Sequence, residues 1–255
     1  MRVLPLLMLF GCASSLISAE TLKAYTEEFA PFNYTQQGQY LGLANQILDR
    51  ISQSSGLQFE RESLPWLRAS NENQAHPNSL LYTTVRTPQR EKQYLWVGPY
   101  DDCDVVFIKL KNRSDIQINS LKDAEKYTAG AARGAAASQI LASMGYNMAR
   151  LDTRSPEEAR TVRMLYAKRF DLSAGMLIPH VYSAKQQRYD ASQLTAAYTI
   201  TKTGGCFFAF NPQVNPNLYQ RFNTAFEQLR SSGELDKIRR QYLGNDIKSS
   251  NKAKP

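Results

Sequence analysis

Apolar runs of strand length alternate along this chain with segments of helical period, and that alternation leaves few architectures open. Residues 21–25 alternate as a short strand, and after the loop Glu28-Phe29-Ala30-Pro31-Phe32-Asn33-Tyr34 a helical face is formed by Leu43, Ile47, Leu48 and Ile51, stopped at Ser54-Ser55-Gly56. Strands are expected over 57–62, 78–85, 105–108 and 127–131, the last leading through Arg133-Gly134 into a small-residue helix over 135–144 that ends at Gly145. Ser155-Pro156-Glu157-Glu158 places Ser at the cap, Pro at the first helical position and Glu three residues after the cap, so a helix is expected over 156–168, followed by a strand over 170–174. Leu218, Phe222, Phe226 and Leu229 share one helical face, Gly233 interrupts it, and Leu235, Ile238 and Tyr242 resume it. Such alternation predicts an α/β fold with largely parallel strand pairing.

Residues 1–19 carry Arg2, an apolar stretch over 3–10 and small residues before Ile17-Ser18-Ala19, the layout of a secretory signal peptide cut after Ala19. Leu9-Phe10-Gly11-Cys12 offers a rival lipoprotein box at Cys12, against which the bulky Phe10 counts. The apolar run is far short of the ~20 residues that span a bilayer, and no later segment is longer, so a soluble, periplasmic mature chain is expected. Roughly 235 residues then remain, enough for one large domain or two ordinary lobes. The formal net charge of +8 is spread without a dense basic block or a basic-aromatic motif, which points to a solvated basic surface rather than a nucleic-acid site.

After removal of the signal only Cys103 and Cys206 remain, an even count in an oxidising compartment, consistent with a disulfide or with two buried thiols. No second cysteine pair or histidine cluster accompanies them, so neither a metal nor a cofactor is expected. His76 and His180 stand alone and are read as surface or locally hydrogen-bonded residues. No Ser/His/Asp constellation, paired carboxylates or metal-ligand spacing stands out, and no enzymatic activity is expected.

Three segments in order carry a resemblance: Phe29-Ala30-Pro31-Phe32; Arg86-Thr87-Pro88-Gln89-Arg90-Glu91 leading to Trp96-Val97-Gly98-Pro99-Tyr100; and Phe222-Asn223-Thr224-Ala225-Phe226 with Leu229 and Ser232-Gly233-Glu234-Leu235-Asp236-Lys237-Ile238. Together they resemble the family 3 extracellular solute-binding proteins, the periplasmic receptors of polar amino-acid ABC importers, over most of residues 20–244. The resemblance implies a two-lobed periplasmic-binding-protein type II fold with the ligand between lobes joined by two hinge strands. Lobe one would hold residues 20–105 and 203–246, lobe two 106–202, with 247–255 a flexible tail. Cys103 and Cys206 would then lie on adjacent hinge strands, which favours a disulfide. The implied function is capture of a small polar, carboxylate-bearing ligand by a monomer that presents it to a membrane permease. A sensor that signals to a membrane partner and a dehydratase-like cleft enzyme are the alternatives.

The same resemblance assigns the site. Arg90 matches the position that clamps the ligand carboxylate, a role suited to its planar fork; a surface ion pair with Glu91 is the other reading. Arg86 either adds a second anion contact or points away. Phe29 matches an aromatic wall or packs in the core, and Trp66 is placed to supply an opposing ring. Thr83 and Thr84 sit on the strand where relatives contact ligand. Arg133, Gly134 and Ala135 head a helix whose free N–H groups suit an anion. Met176 stands where amino-acid receptors place the acid that pairs with an α-ammonium, a departure that puts ordinary amino-acid binding in doubt and leaves Ser173 as a substitute acceptor.

Overall fold

The computed structural model describes residues 21–87, 90–133, 135–155, 158–202 and 204–243. The signal segment with Cys12, the tail, and Gly134 lie outside the described residues.

Two five-stranded sheets form the frame. The first contains β1 (Thr21–Thr26), β4 (Gln58–Ser63), β5 (Ser79–Val85), β6 (Leu95–Asp101) and β12 (Cys206–Phe210), in the order β4-β1-β5-β12-β6. The second contains β7 (Val105–Leu110), β8 (Ala129–Ala132), β9 (Leu151–Ser155), β10 (Leu172–Met176) and β11 (Leu194–Thr201), in the order β11-β7-β10-β8-β9. The chain passes between the sheets twice, from β6 to β7 and from β11 to β12. A hairpin of β2 (Tyr34–Gln36) and β3 (Gln39–Leu41) turns at Gln37 and Gly38.

Pairing is mixed, which corrects the expectation of largely parallel sheets. Strands linked by helical connections are parallel, as in β1 with β4 and β5, or β8 with β9 and β10. The strands that enter from the other sheet, β7 and β12, run antiparallel to both neighbours. No crossover helix precedes them, so nothing imposes the parallel sense.

Strand alternation divides each lobe's core. In β5, Leu80 and Tyr82 join a cluster with α1 (Leu43–Ser55), α7 (Pro216–Ser231) and α8 (Glu234–Leu243), while Leu81 faces α2 (Trp66–Ala75). In β7, Val105 and Phe107 pack with α3 (Leu121–Ala124) and α4 (Ala136–Ser143). Val106, Ile108 and Leu110 pack with α5 (Glu158–Tyr166) and α6 (Leu177–Gln186). Met176 and Ile178, at the β10–α6 corner, belong to the core cluster of the first lobe, and the Tyr34 and Tyr182 rings meet 6.3 Å apart across the lobes.

At the first crossing, Cys103 is joined to Cys206, with Cα atoms 5.2 Å apart. Beside it Asp101, 2% exposed, takes a two-pronged contact from Arg239 of α8, at 2.8 and 3.0 Å. Burial pushes the Asp101 carboxyl above the usual range against the pull of Arg239. Arg239→Leu is expected to cost about 3–5 kcal/mol because it strands a buried carboxylate, and Asp101→Leu in the same chain to restore much of it. Urea unfolding checks this, and a single variant as stable as the parent would contradict it.

Candidate functional site

A cavity of about 380 Å³ is lined from both lobes. Its first wall is built where β1 and β5 end. Gly42, at φ 108, lets the start of α1 approach so closely that a Cβ there would lie 2.5 Å from the Phe32 carbonyl oxygen. The Leu43 and Ala44 N–H groups donate to the Pro31 and Phe32 carbonyls at 3.0 and 2.7 Å. The first turn of α1 therefore holds the aromatic loop in place, with Phe32 fully buried and Phe29 on the cavity wall.

Thr83 re-aims the end of β5. Its φ of 58 is a costly conformation for a β-branched residue, and the β5–β12 register slips across it, with Phe207 opposite Thr84 and Ala209 opposite Leu81. The bulge turns Thr83 and Val85 to the cavity. A hydrogen-bond chain holds it: Tyr100 Oη donates to Thr83 Oγ1 at 2.7 Å, Thr83 Oγ1 donates to Asn33 Oδ1, and Asn33 Nδ2 donates to Thr26 Oγ1 at 2.7 Å.

Arg90 lines the same wall. Its guanidinium carbon lies 4.9 Å from the centre of the Trp66 ring, and Nη1 donates to the Val85 carbonyl at 3.3 Å. Burial pulls the Arg90 pKa below its ordinary value, opposed by Tyr94 and Glu27. Among the described residues no carboxylate is in direct ion-pair contact with it. Glu27 faces the cavity too, and burial raises its carboxyl against the influence of Arg90. Glu28 is already engaged, accepting from the Thr35 N–H at 2.8 Å and from Ser63 Oγ at 2.6 Å.

The second wall comes from α4, α5 and the end of β10. Arg133, Ala135, Ala136 and Ala137 bring the start of α4 to the cavity, so N–H groups of its first turn are available to an acceptor. Glu158, the first residue of α5, stands nearby with Gly175 and Met176. Behind this wall His180, 1% exposed, places Nε2 2.7 Å from Ser173 Oγ and Nδ1 2.9 Å from the Met176 carbonyl and 3.2 Å from Glu158 Oε1. Gly175 makes room for the ring, since a Cβ there would meet His180 Cε1 at 2.6 Å.

Of the sequence-predicted residues, Phe29, Trp66, Thr83, Arg90, Arg133, Ala135 and Met176 line this cavity. Trp66 lies beneath the Arg90 guanidinium rather than standing as an isolated opposing ring. Thr84 is fully buried off the wall, because successive strand side chains point to opposite faces. Arg86 also points away: it pairs with Glu91 at 2.5 and 2.7 Å and sits over the Trp96 and Phe207 rings. Ser173 is fully buried and bonded to His180, so it is not presented to a cavity occupant. Gly134 lies outside the described residues.

Sequence reasoning assigns Glu27 and Glu158 no place at the site, and it reads His180 as surface or locally hydrogen-bonded, of which the local bonds are present. Ser173, His180 and Glu158 stand in the order of a hydrolase triad, yet the buried serine is off the cavity wall, which leaves a nucleophile no substrate to meet. The titration of His180 is set by opposing effects. Burial lowers its pKa, while the Glu158 carboxylate beside Nδ1 and the Met176 carbonyl raise it, for a net shift above 6.5. A raised folded-state pKa contributes stability that is full below pH 6.5 and lost as pH climbs through the folded value. We expect the His180 imidazole to titrate above 6.5 by NMR and this part of the stability to fade over that window; a midpoint below 6.5 would contradict the pairing with Glu158.

A wider hollow of about 580 Å³ lies on the second lobe alone, near Arg150, Arg154 and Arg169. Arg154 is paired with Asp152 and Arg150 donates to the Glu125 carbonyl at 2.9 Å.

Arg90 on one wall and the start of α4 on the other thus face a single cavity between the lobes. The chain belongs to the bacterial extracellular solute-binding proteins, family 3, whose model matches residues 22–245. No curated protein matches it by sequence. Among solved structures it is similar to a histidine kinase sensor domain resembling periplasmic binding proteins, at 18% identity and TM-score 0.70, covering 88% of this chain and 96% of that one. An ancestral arginine-binding protein bound to arginine matches at 20% identity and TM-score 0.68, covering 88% and 98%. An ancestral amino-acid-binding protein described as a precursor of cyclohexadienyl dehydratase matches at 19% and 0.67, covering 88% and 95%. These likenesses establish the type II periplasmic-binding-protein fold. No helix among the described residues is long and apolar enough to cross a membrane.

Proposed function

We propose that this protein is a periplasmic receptor that captures a small carboxylate-bearing polar molecule, an amino acid or a close relative, by closure of its two lobes, and presents it to an ABC importer. The observation that carries this reading is Arg90: a half-buried guanidinium in the cavity, held by Trp66 and the Val85 carbonyl and without a carboxylate partner among the described residues. Keeping a charge desolvated is costly unless an anion arrives to compensate it. The start of α4 supplies N–H groups from the opposite lobe, so a bound anion gains contacts from both lobes only in the shut form. An amino-acid occupant suits the volume, and the arginine-bound relative of the same fold supports that class.

The reading treats the protein as a binding module rather than a catalyst. The hinge role falls to the β6–β7 and β11–β12 crossings, tied by Cys103 and Cys206. A melting screen of the mature protein against amino acids, organic acids, polyamines and short peptides tests it, because a ligand that binds only the folded state raises Tm by mass action. A shift with a carboxylate-bearing compound is the expected result. Shifts confined to polyamines, or turnover of the bound compound, would overturn it.

A further inference from the structure

Met176 leaves the wall after β10 without an acid, but another element brings a carboxylate to the cavity. We propose that Glu158, at the start of α5, receives the ammonium group of the ligand, with His180 and Ser173 as the pair that positions it; this rests on the carboxylate-receptor reading above.

Three observations carry it. Glu158 lines the same cavity as Arg90 but from the other lobe, so one small molecule with a carboxylate and an ammonium can be held at both ends across the cleft. Its Oε1 is buried and accepts no hydrogen bond. The His180 Nδ1 proton is directed to the Met176 carbonyl at 2.9 Å, which leaves Oε1, 3.2 Å from the same nitrogen, beside a donor already committed. A carboxylate has about four acceptor directions, and the Glu158 side chain, 24% exposed where it lines the cavity, keeps acceptor capacity there apart from the buried Oε1. Among the described residues, His180 is the one charged or titratable group in direct ion-pair contact with Glu158.

The ring behind Glu158 also sets a proton linkage. The groups that face His180 are Glu158 from α5, and Ser173 Oγ and the Met176 carbonyl from β10; of these only Glu158 carries charge. A protonated His180 neutralises Glu158 and competes with the ligand's ammonium. A neutral His180 leaves the carboxylate free to pair with it. Affinity for an amino-carboxylate therefore rises as pH is raised through the His180 titration, whereas affinity for an amine-free acid does not rise in this way. The ligand class is a small zwitterion, with the amine rather than a second acid group recognised by lobe two.

The test uses the mature chain and calorimetric titration with L-glutamine, L-arginine and γ-aminobutyrate, set against glutarate as the amine-free acid. The best of the three amino-carboxylates is expected to bind the parent at least about tenfold more tightly than glutarate, and Glu158→Gln to weaken it by about ten- to a hundredfold while sparing glutarate. His180→Gln is expected to flatten the rise of amino-carboxylate affinity between pH 5.5 and 8, a change that mere loss of packing would not produce. If Glu158→Gln binds the amino-carboxylate as the parent does, with Arg90→Ala still abolishing binding, the ammonium subsite is wrong and the receptor reading survives. If the parent binds none of the four compounds at millimolar concentration, the subsite proposal is overturned as well; loss of the receptor reading itself requires the broader screen to fail too.

Discussion

Arg90→Ala is expected to weaken capture of a carboxylate ligand by about two to three orders of magnitude while leaving the ligand-free fold nearly as stable. The two expectations come from the same environment. A bidentate guanidinium–carboxylate contact is worth about 3–6 kcal/mol, since each charge-assisted hydrogen bond contributes about 1.5–3, and the expected loss lies at the lower end of that range. In the absence of ligand the guanidinium makes one 3.3 Å hydrogen bond and a ring contact, and burial already disfavours its charge. Removing it therefore gives up little in the empty protein. Arg90→Lys keeps the charge but not the planar fork, and an intermediate loss is expected. Calorimetric dissociation constants for the three proteins, with their melting temperatures, check the argument. Equal affinity in all three would place the anion elsewhere.

The second large effect belongs to the disulfide. Cys103 and Cys206 are separated by 103 residues, and β7 through β11 all lie within that loop. Closing a loop of this length removes unfolded-state freedom worth about 4.7 kcal/mol in the chain-entropy model, and loss of native bridges typically costs about 2–5. The double variant Cys103→Ser/Cys206→Ser should fall in that range by urea unfolding, and reduction of the parent should lower its unfolding midpoint to match. In the proposed receptor, the bond ties the two crossings about which the lobes would turn. Unchanged stability after reduction would remove the bridge from this account.

Much of the frame was legible because the information is local. Leu43, Ile47, Leu48 and Ile51 declare a helix by their spacing, and all four are buried in α1. The small-residue helix after Arg133 was legible for the same reason. Less legible were elements whose signals are masked by sequence-local exceptions. No element is assigned from sequence to residues 177–186, where Pro179 sits in the first turn of α6 and its missing N–H has no helical partner to lose. That hid His180. The strand expected over 170–174 lies at Leu172–Met176, which puts Met176 at the last strand position and at the cleft.

The site was legible where a motif names a residue and illegible where facing decides. Alternation along a strand admits Thr83 or Thr84 to one face but not both, and the left-handed backbone at Thr83 chooses the face. Composition cannot show that choice. Arg86 and Arg90 are both cations near one strand end; only tertiary packing assigns one to Glu91 and two rings and the other to the cavity. Glu158 was absorbed into a helix-start signal, and its second property, a place on the cavity wall, depends on β10 and α6 behind it.

The location of the ligand is read from a crystal structure of the mature protein with the compound that gives the largest melting shift. The account predicts that compound in the cavity between the two sheets, its carboxylate on the Arg90 guanidinium and its other end against the α4–α5 wall. A compound bound instead in the hollow near Arg150 and Arg169, with the cleft empty, would contradict it.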